Sequence, residues 1–197
     1  MNRISIINGL IAKNNYSSYL EIGVFDGSCF NVINCANKIG VDPDLGSAAT
    51  VHKTSDEFFS KNEKMFDIVF IDGLHHADQV EKDIENALKF LSEGGTIVMH
   101  DCLPTSKRMQ EIPREDRTDW TGDTWRAYLK NRTTRSDLSM CVVDADCGCG
   151  IIRVGFQDLI VLDKQVDEVT YEDFTVARNR WMNVISVDQF KHVFLSE

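Results

Sequence analysis

No apolar run in this chain approaches the ~20 residues that a bilayer-spanning helix requires, and no membrane partner is expected. Basic charge is also short: Lys and Arg total 21 against 31 Asp and Glu, for a net charge of −10. A general nucleic-acid binder carries a basic excess or patch, so no nucleic-acid partner is expected either. The opening Met-Asn-Arg-Ile-Ser-Ile-Ile-Asn-Gly-Leu has one arginine and a broken apolar run. That makes a poor secretion leader, and a cytoplasmic location follows by default. Of the six cysteines, Cys29, Cys35, Cys141 and Cys149 lie in apolar or helix-like segments. A reduced thiol there acts as a small hydrophobe, and no disulfide framework is expected in a cytosolic chain of this size. Cys147-Gly-Cys149 is too closely spaced and too isolated for a four-ligand zinc site.

What is present fits a soluble α/β protein. A length of 197 residues with 43% hydrophobic content supports a substantial core. The expectation is one domain over 1–197, with its core at about 18–155 and a helical tail at about 156–197.

The stretch 19–27 reads Tyr-Leu-Glu-Ile-Gly-Val-Phe-Asp-Gly. It is an apolar run interrupted by Glu21 and Gly23, closed by Asp26-Gly27, and followed by a helix-compatible segment at 28–35. A buried strand, a glycine turn and a helix open a nucleotide-binding α/β unit. Apolar spacing before it predicts a helix over 4–13. A second strand at 38–42 ends in Asp42, followed by Pro43, which biases Asp42 towards extended backbone. The two oxygens of Asp42 match a ribose diol; a plain Asp-Pro-Asp turn is the alternative. A short third strand is expected at 48–52. Thr54 and Glu57 then have capping-box spacing, so Ser55 and Asp56 are either the first turn of a helix or contacts to an adenine ring.

The near-continuous apolar run from Phe66 to Asp72-Gly73 is a strand covered on both faces. An amphipathic helix over 77–91 follows, with Gly94-Gly95 expected to close it. The next strand, 96–101, ends in His100-Asp101. The alternation predicts a mostly parallel, doubly wound Rossmann-like sheet with helices on both faces. A long polar loop covers 102–122, and a helix capped by Asp123 runs to 130. Apolar runs at 138–143 and 150–154 read as a terminal antiparallel hairpin. A helix beginning at Thr170 and a Ser186–Gln189 capping box before a last short helix complete the tail.

Two strand ends thus bring Asp72, His100 and Asp101 to one rim. Close carboxylates repel unless a cation sits between them or one is protonated, and magnesium is the economical cation, with Asp72, Asp101 and His100 as candidate ligands, the imidazole a less natural one than the acids. His75, three residues past Asp72, has a pKa suited to a general base. Against this, Asp72-Gly73 reads as a turn, His75 or His76 as a helix cap, and Asp72 as a metal-free contact to an ammonium group.

Together, the E-x-G-x-x-x-G stretch (Glu21, Gly23, Gly27), Asp42, the run 66–76, Gly94-Gly95 and His100-Asp101 resemble class I S-adenosylmethionine-dependent methyltransferases. Within them, the likeness is to the macrolide-sugar and glycan-cluster O-methyltransferases, and it covers most of 18–154. The Gly122-to-Trp125 segment and residues 181–185 share it. The resemblance implies S-adenosylmethionine as cofactor, with its methionine end near Glu21 and Gly23 and its ribose on Asp42. It implies magnesium on Asp72 and Asp101, and a base at His75. The sequence departs from the pattern where His100 replaces the first acid of the strand-end pair. The implied reaction is methylation of a sugar or other polyol hydroxyl on a small-molecule or glycan acceptor, with a homo-oligomer admitted. Two rivals remain: a non-catalytic binding subunit on the same fold, and an NAD-linked oxidoreductase, which lacks the paired early glycines of G-x-G-x-x-G.

Overall fold

The computed structural model describes residues 1–114 and 119–196. Among these, seven strands form one sheet: β1 (Ser18–Ile22), β2 (Asn37–Val41), β3 (Phe66–Ile71), β4 (Leu91–Met99), β5 (Leu138–Val143), β6 (Cys149–Val154) and β7 (Val184–Ile185). Their order is β2-β1-β3-β4-β6-β5-β7. All neighbours are parallel except β6, which runs antiparallel to both β4 and β5. The predicted Rossmann-like sheet with its terminal hairpin is therefore the fold. No helix among the described residues is long and apolar enough to cross a membrane.

Strand alternation sorts the core onto two faces. Leu20, Ile22, Val69, Ile71, Ile97 and Met99 point to one side. They meet Val80, Ile84 and Ala87 of α3 (Ala77–Lys89), Trp125 of α4 (Thr124–Thr134) and Phe174 of α5 (Tyr171–Trp181). Tyr19, Ile68, Phe70 and Val98 point to the other side, against Ile6, Ile7 and Leu10 of α1 (Arg3–Asn14) and Phe190 at the end of α6 (Val187–Phe190). The capping boxes read at Thr54, before α2 (Ser55–Phe59), and at Ser186 are both formed. Thr170 likewise caps α5. Asn2 and Ser5 cap α1, and Asn15 ends it in a left-handed conformation.

Several local expectations are corrected. The segment 28–35 holds only a single tight turn, Phe30–Val32; its Asn and β-branched residues are poor helix formers. The third strand expected at 48–52 reduces to one bridge, between Val41 and Val51. Gly94-Gly95 does not end α3, which stops at Lys89 with Phe90 behind it. The pair lies inside β4 at a bulge, where the register with β3 jumps from Phe66↔Leu91 to Ile68↔Thr96. Gly94 takes φ +73 there, a conformation costly for other residues. Asp123 stands at the start of α4 without capping it; its carboxylate accepts from the Ala77 N–H at 2.7 Å and so caps α3. His76 holds the position before α3 but makes no capping hydrogen bond. The short β7, beside β5, was not expected.

β1, β3 and β4 end level. The ladder continues past their ends, with Asp72 N–H donating to Ile22 O at 2.8 Å and His100 N–H to Ile71 O at 3.0 Å. Gly23, Asp72 and His100 therefore stand side by side on the carboxyl rim. The rim depends on α3 being seated on the sheet. Ile84→Ala removes a fully buried side chain and should destabilise the fold by about 2–5 kcal/mol, read as a lower midpoint in urea unfolding with an unchanged slope.

Candidate functional site

Two cavities open on the rim and share Gly23, Phe25 and Asp72. The larger, about 490 Å³, reaches Asp42, Ser55, Asp56, Gln79 and Asp83. The smaller, about 340 Å³, reaches Arg3, Glu21, Asp26 and Asp146. Gly23 sits at φ +86 between them, and a Cβ on it would lie 2.2 Å from the Asp72 carbonyl oxygen. No side chain fits there. Gly27 lines neither cavity; it closes the turn, donating to Val24 O at 2.9 Å.

Asp42 shapes the turn as well as lining the larger cavity. Its Oδ2 accepts from the Val24 and Phe25 amides, each at 3.0 Å, and its Oδ1 accepts from Asp44 N–H at 2.9 Å. Deeper in, the Gln79 side-chain amide faces Ser55 Oγ, Asp56 Oδ1 and Asp83 Oδ1 at 3.1–3.2 Å. Asp83 is only 1% exposed, and burial pushes its carboxyl up to about 6. Asp83 and Gln79 were not singled out from sequence. The available signal was an acid at 83 on the apolar stripe formed by Val80, Ile84 and Ala87.

In the smaller cavity Glu21 is also 1% exposed and accepts a hydrogen bond from the Tyr19 hydroxyl. Burial pushes its carboxyl up to about 7, although the Tyr19 bond works the other way.

Beyond Asp72 lies a dense charged cluster. His75 Nε2 is 3.3 Å from Asp72 Oδ1, and His75 Nδ1 is 3.3 Å from Asp101 Oδ2. His100 Nδ1 lies 3.0 Å from Asp101 Oδ1 and 3.3 Å from Asp72 Oδ1. Its Nε2 faces Asp146 Oδ1 at 3.6 Å, an ion-pair rather than a hydrogen-bond separation. Arg3, from α1, donates through Nη1 to Asp72 Oδ2 at 2.9 Å and pairs through Nε with Asp146 Oδ2 at 3.1 Å. Arg3 Nη1 also lies 3.0 Å from His100 Nδ1, and both nitrogens approach the Asp72 carboxylate. Asp101 stands at φ +60, a strained conformation for a non-glycine residue. The backbone bonds that follow it, Cys102 N–H to Gly148 O and Leu103 N–H to Cys147 O, fix it there.

The charges tune one another. Burial would favour a protonated Asp72, but hydrogen bonds from His100 and His75 hold its carboxyl far below the usual range. Burial likewise opposes charge on His100, and Asp101, Asp146 and Asp72 override it, raising its pKa well above the imidazole range. His75 is raised from 6.5 in the same way: burial lowers it, and the Asp72 bond with the charges of Asp101 and Asp72 outweighs that. His100 and the Arg3 backbone N–H hold Asp146 at about 2 against its partial burial. The ring of His75 stacks on Trp120 at 5.3 Å, and its Nδ1 lies 3.2 Å from the Trp120 carbonyl oxygen.

The structure thus brings together Asp72, His75, His100 and Asp101, and places Glu21, Gly23, Asp42, Ser55, Asp56 and Asp72 on the cavity walls. His75 and His100 line neither of the two cavities. Arg3 and Asp146 carried no local signal in the sequence.

The comparisons agree with this architecture. The family described as a methyltransferase domain matches residues 36–102. No curated protein matches the chain significantly. Among solved structures, Podospora anserina methyltransferase PaMTH1, bound to SAH, is 15% identical with a TM-score of 0.56, over 79% of this chain and 78% of that one. The O-methyltransferase TomG from Streptomyces achromogenes, in complex with SAM, is 18% identical with a TM-score of 0.55, over 76% and 78%. An O-methyltransferase from Bacillus cereus, in complex with SAH, is 16% identical with a TM-score of 0.52, over 76% and 78%. Sheet order, rim and comparisons together establish that this chain has the class I methyltransferase fold.

Proposed function

We propose that the protein transfers a methyl group from S-adenosylmethionine to a hydroxyl of a sugar or other polyol. The observation that carries this is the pair of cavities meeting at Gly23 and Asp72. The larger suits an adenosine, with Asp42 towards the ribose and Ser55, Asp56, Gln79 and Asp83 towards the base. The smaller suits the amino-acid half, with Glu21 towards its ammonium group. The sulfonium then lies at the junction, beside Asp72. TomG and the B. cereus protein, O-methyltransferases solved with SAM and SAH, support the donor and the atom methylated. The expected setting is cytoplasmic, where the six free thiols stay reduced.

The donor's methyl–sulfur bond breaks as the methyl–oxygen bond forms, and the chemistry asks mainly for alignment. The hydroxyl proton goes to His75, which stands against Asp72 and Trp120. Both ring nitrogens of His75 face acceptors in the resting site, so the ring accepts a proton only after losing one and turning an edge to the acceptor. Magnesium has no part in this reading: His100 stands where a second acid would be, and Asp72 is already held by Arg3.

Calorimetry should show micromolar binding of S-adenosylmethionine and none of NAD. Asp42→Ala should weaken the donor roughly ten- to a hundredfold, the scale of hydrogen bonds to a charged group. A folded sample that binds no donor would reassign the chain as a binding subunit.

His75→Ala should lower kcat about 10²- to 10⁴-fold and leave donor affinity nearly unchanged. In the unaltered enzyme kcat should rise with pH through a value above 6.5, because His75 must be neutral to act and its pKa is raised. Asp101→Asn removes one charge that raises it and should move that limb to lower pH. Equal loss of donor affinity and kcat in His75→Ala would assign the residue to binding instead.

Glu21 carries a separate pH dependence. A carboxyl at about 7 must ionise to meet an ammonium group. Donor affinity should therefore fall as pH drops through about 7, and Glu21→Gln should flatten that dependence.

A further inference from the structure

The rim gathers three carboxylates, Asp72, Asp101 and Asp146, into one cluster. A divalent cation is one way to hold such a group together. By position alone, Asp72, His75 and Asp101 each offer a ligand atom within 4.8 Å of the others. Their oxygens are already engaged, however. Asp72 Oδ1 faces His75 and His100, and its Oδ2 takes Arg3. Asp101 divides its oxygens between His100 and His75. Asp146 divides its own between His100 and Arg3. Each of these oxygens meets a nitrogen of Arg3, His75 or His100. Magnesium favours oxygen ligands in a near-octahedral shell that retains water, and a set this rich in nitrogen and guanidinium does not fit it.

Arg3 is built into this arrangement. Its backbone N–H donates to Asp146 Oδ2 at 2.8 Å, so the first turn of α1 and the β5–β6 turn are clamped at one point. The Asn2–Ser5 capping box fixes that turn of the helix. The guanidinium keeps its charge throughout the accessible pH range, and its planar fork suits two carboxylates at once. It reaches Asp72, the residue on which both cavities and His75 converge.

We propose that Arg3 is a resident cation of this site: its guanidinium spans Asp72 and Asp146 where magnesium would otherwise be needed, and it positions Asp72 for a magnesium-independent reaction. The assignment of Arg3 rests on the charge cluster itself; only its link to methyl transfer rests on the reading above.

The test compares Mn²⁺ binding, followed by electron paramagnetic resonance, in the unaltered chain, Arg3→Met and Arg3→Lys. Arg3→Met frees oxygens of Asp72 and Asp146 and should tighten Mn²⁺ at least tenfold. Arg3→Lys retains a cation and should bind Mn²⁺ as weakly as the unaltered chain. Micromolar Mn²⁺ binding by the unaltered chain, lost in Asp72→Asn, would overturn the proposal. So would an Arg3→Met protein, folded by circular dichroism, that gains no Mn²⁺ affinity. In parallel, S-adenosylhomocysteine should bind the unaltered chain equally well, within twofold, in EDTA and in magnesium chloride; a tenfold gain with magnesium would also count against Arg3. Failure of S-adenosylhomocysteine to bind under either condition would remove the methyl-transfer reading, while the Mn²⁺ comparison would still decide the role of Arg3.

Discussion

Three carboxylates share one strand-end rim only when positive charge stands between them or one of them takes a proton. At 4 Å and an effective dielectric near 20, two like charges repel by about 4 kcal/mol, a sizeable part of the stability of a small domain. The contacts among Asp72, Asp101, Asp146, His75, His100 and Arg3 answer that constraint. They also explain why elements far apart in the chain converge there. The segments just past β3 and β4 supply two acids and two imidazoles, α1 supplies the guanidinium, and the β5–β6 turn supplies the third acid. The strained backbone of Asp101 is held by the same hairpin that brings Asp146.

The sheet makes this convergence possible. Parallel strands in level register deliver Gly23, Asp72 and His100 to one edge. The residue after each strand is then free to carry chemistry while the strand itself is buried on both faces. Glu21 shows the cost of the arrangement. It lies one pleat below the rim, within an apolar environment shared with Tyr19, and its carboxyl holds its proton to about neutrality. The fold thus places groups with very different proton affinities within one short stretch of rim.

The apolar runs, the capping boxes and the strand-end acids were legible because each is a local pattern. The strand that begins at Phe66, the helix that begins at Ala77 and the terminal hairpin needed only periodicity and turn residues. The misread segments were ones where tertiary context decides. Gly94-Gly95 has the composition of a helix end, yet the strand resumes at once and the glycines absorb a bulge. The segment 48–52 has strand composition but meets β2 at one bridge only. Arg3 and Asp146 were illegible because their partnership spans 143 positions, and neither stands in a motif. Asp123 sits where a helix cap belongs, and no local pattern reveals that it serves a different helix.

That last bond couples two parts of the molecule. Asp123 ties the return of the 102–122 segment to the first turn of α3, and just before it Trp120 lies flat against His75. The imidazole and this stretch of chain are therefore joined at two points, the ring stack and the Asp123 bond. A displacement of Trp120 would therefore be felt both by the imidazole stacked on it and, through Asp123, by the start of α3.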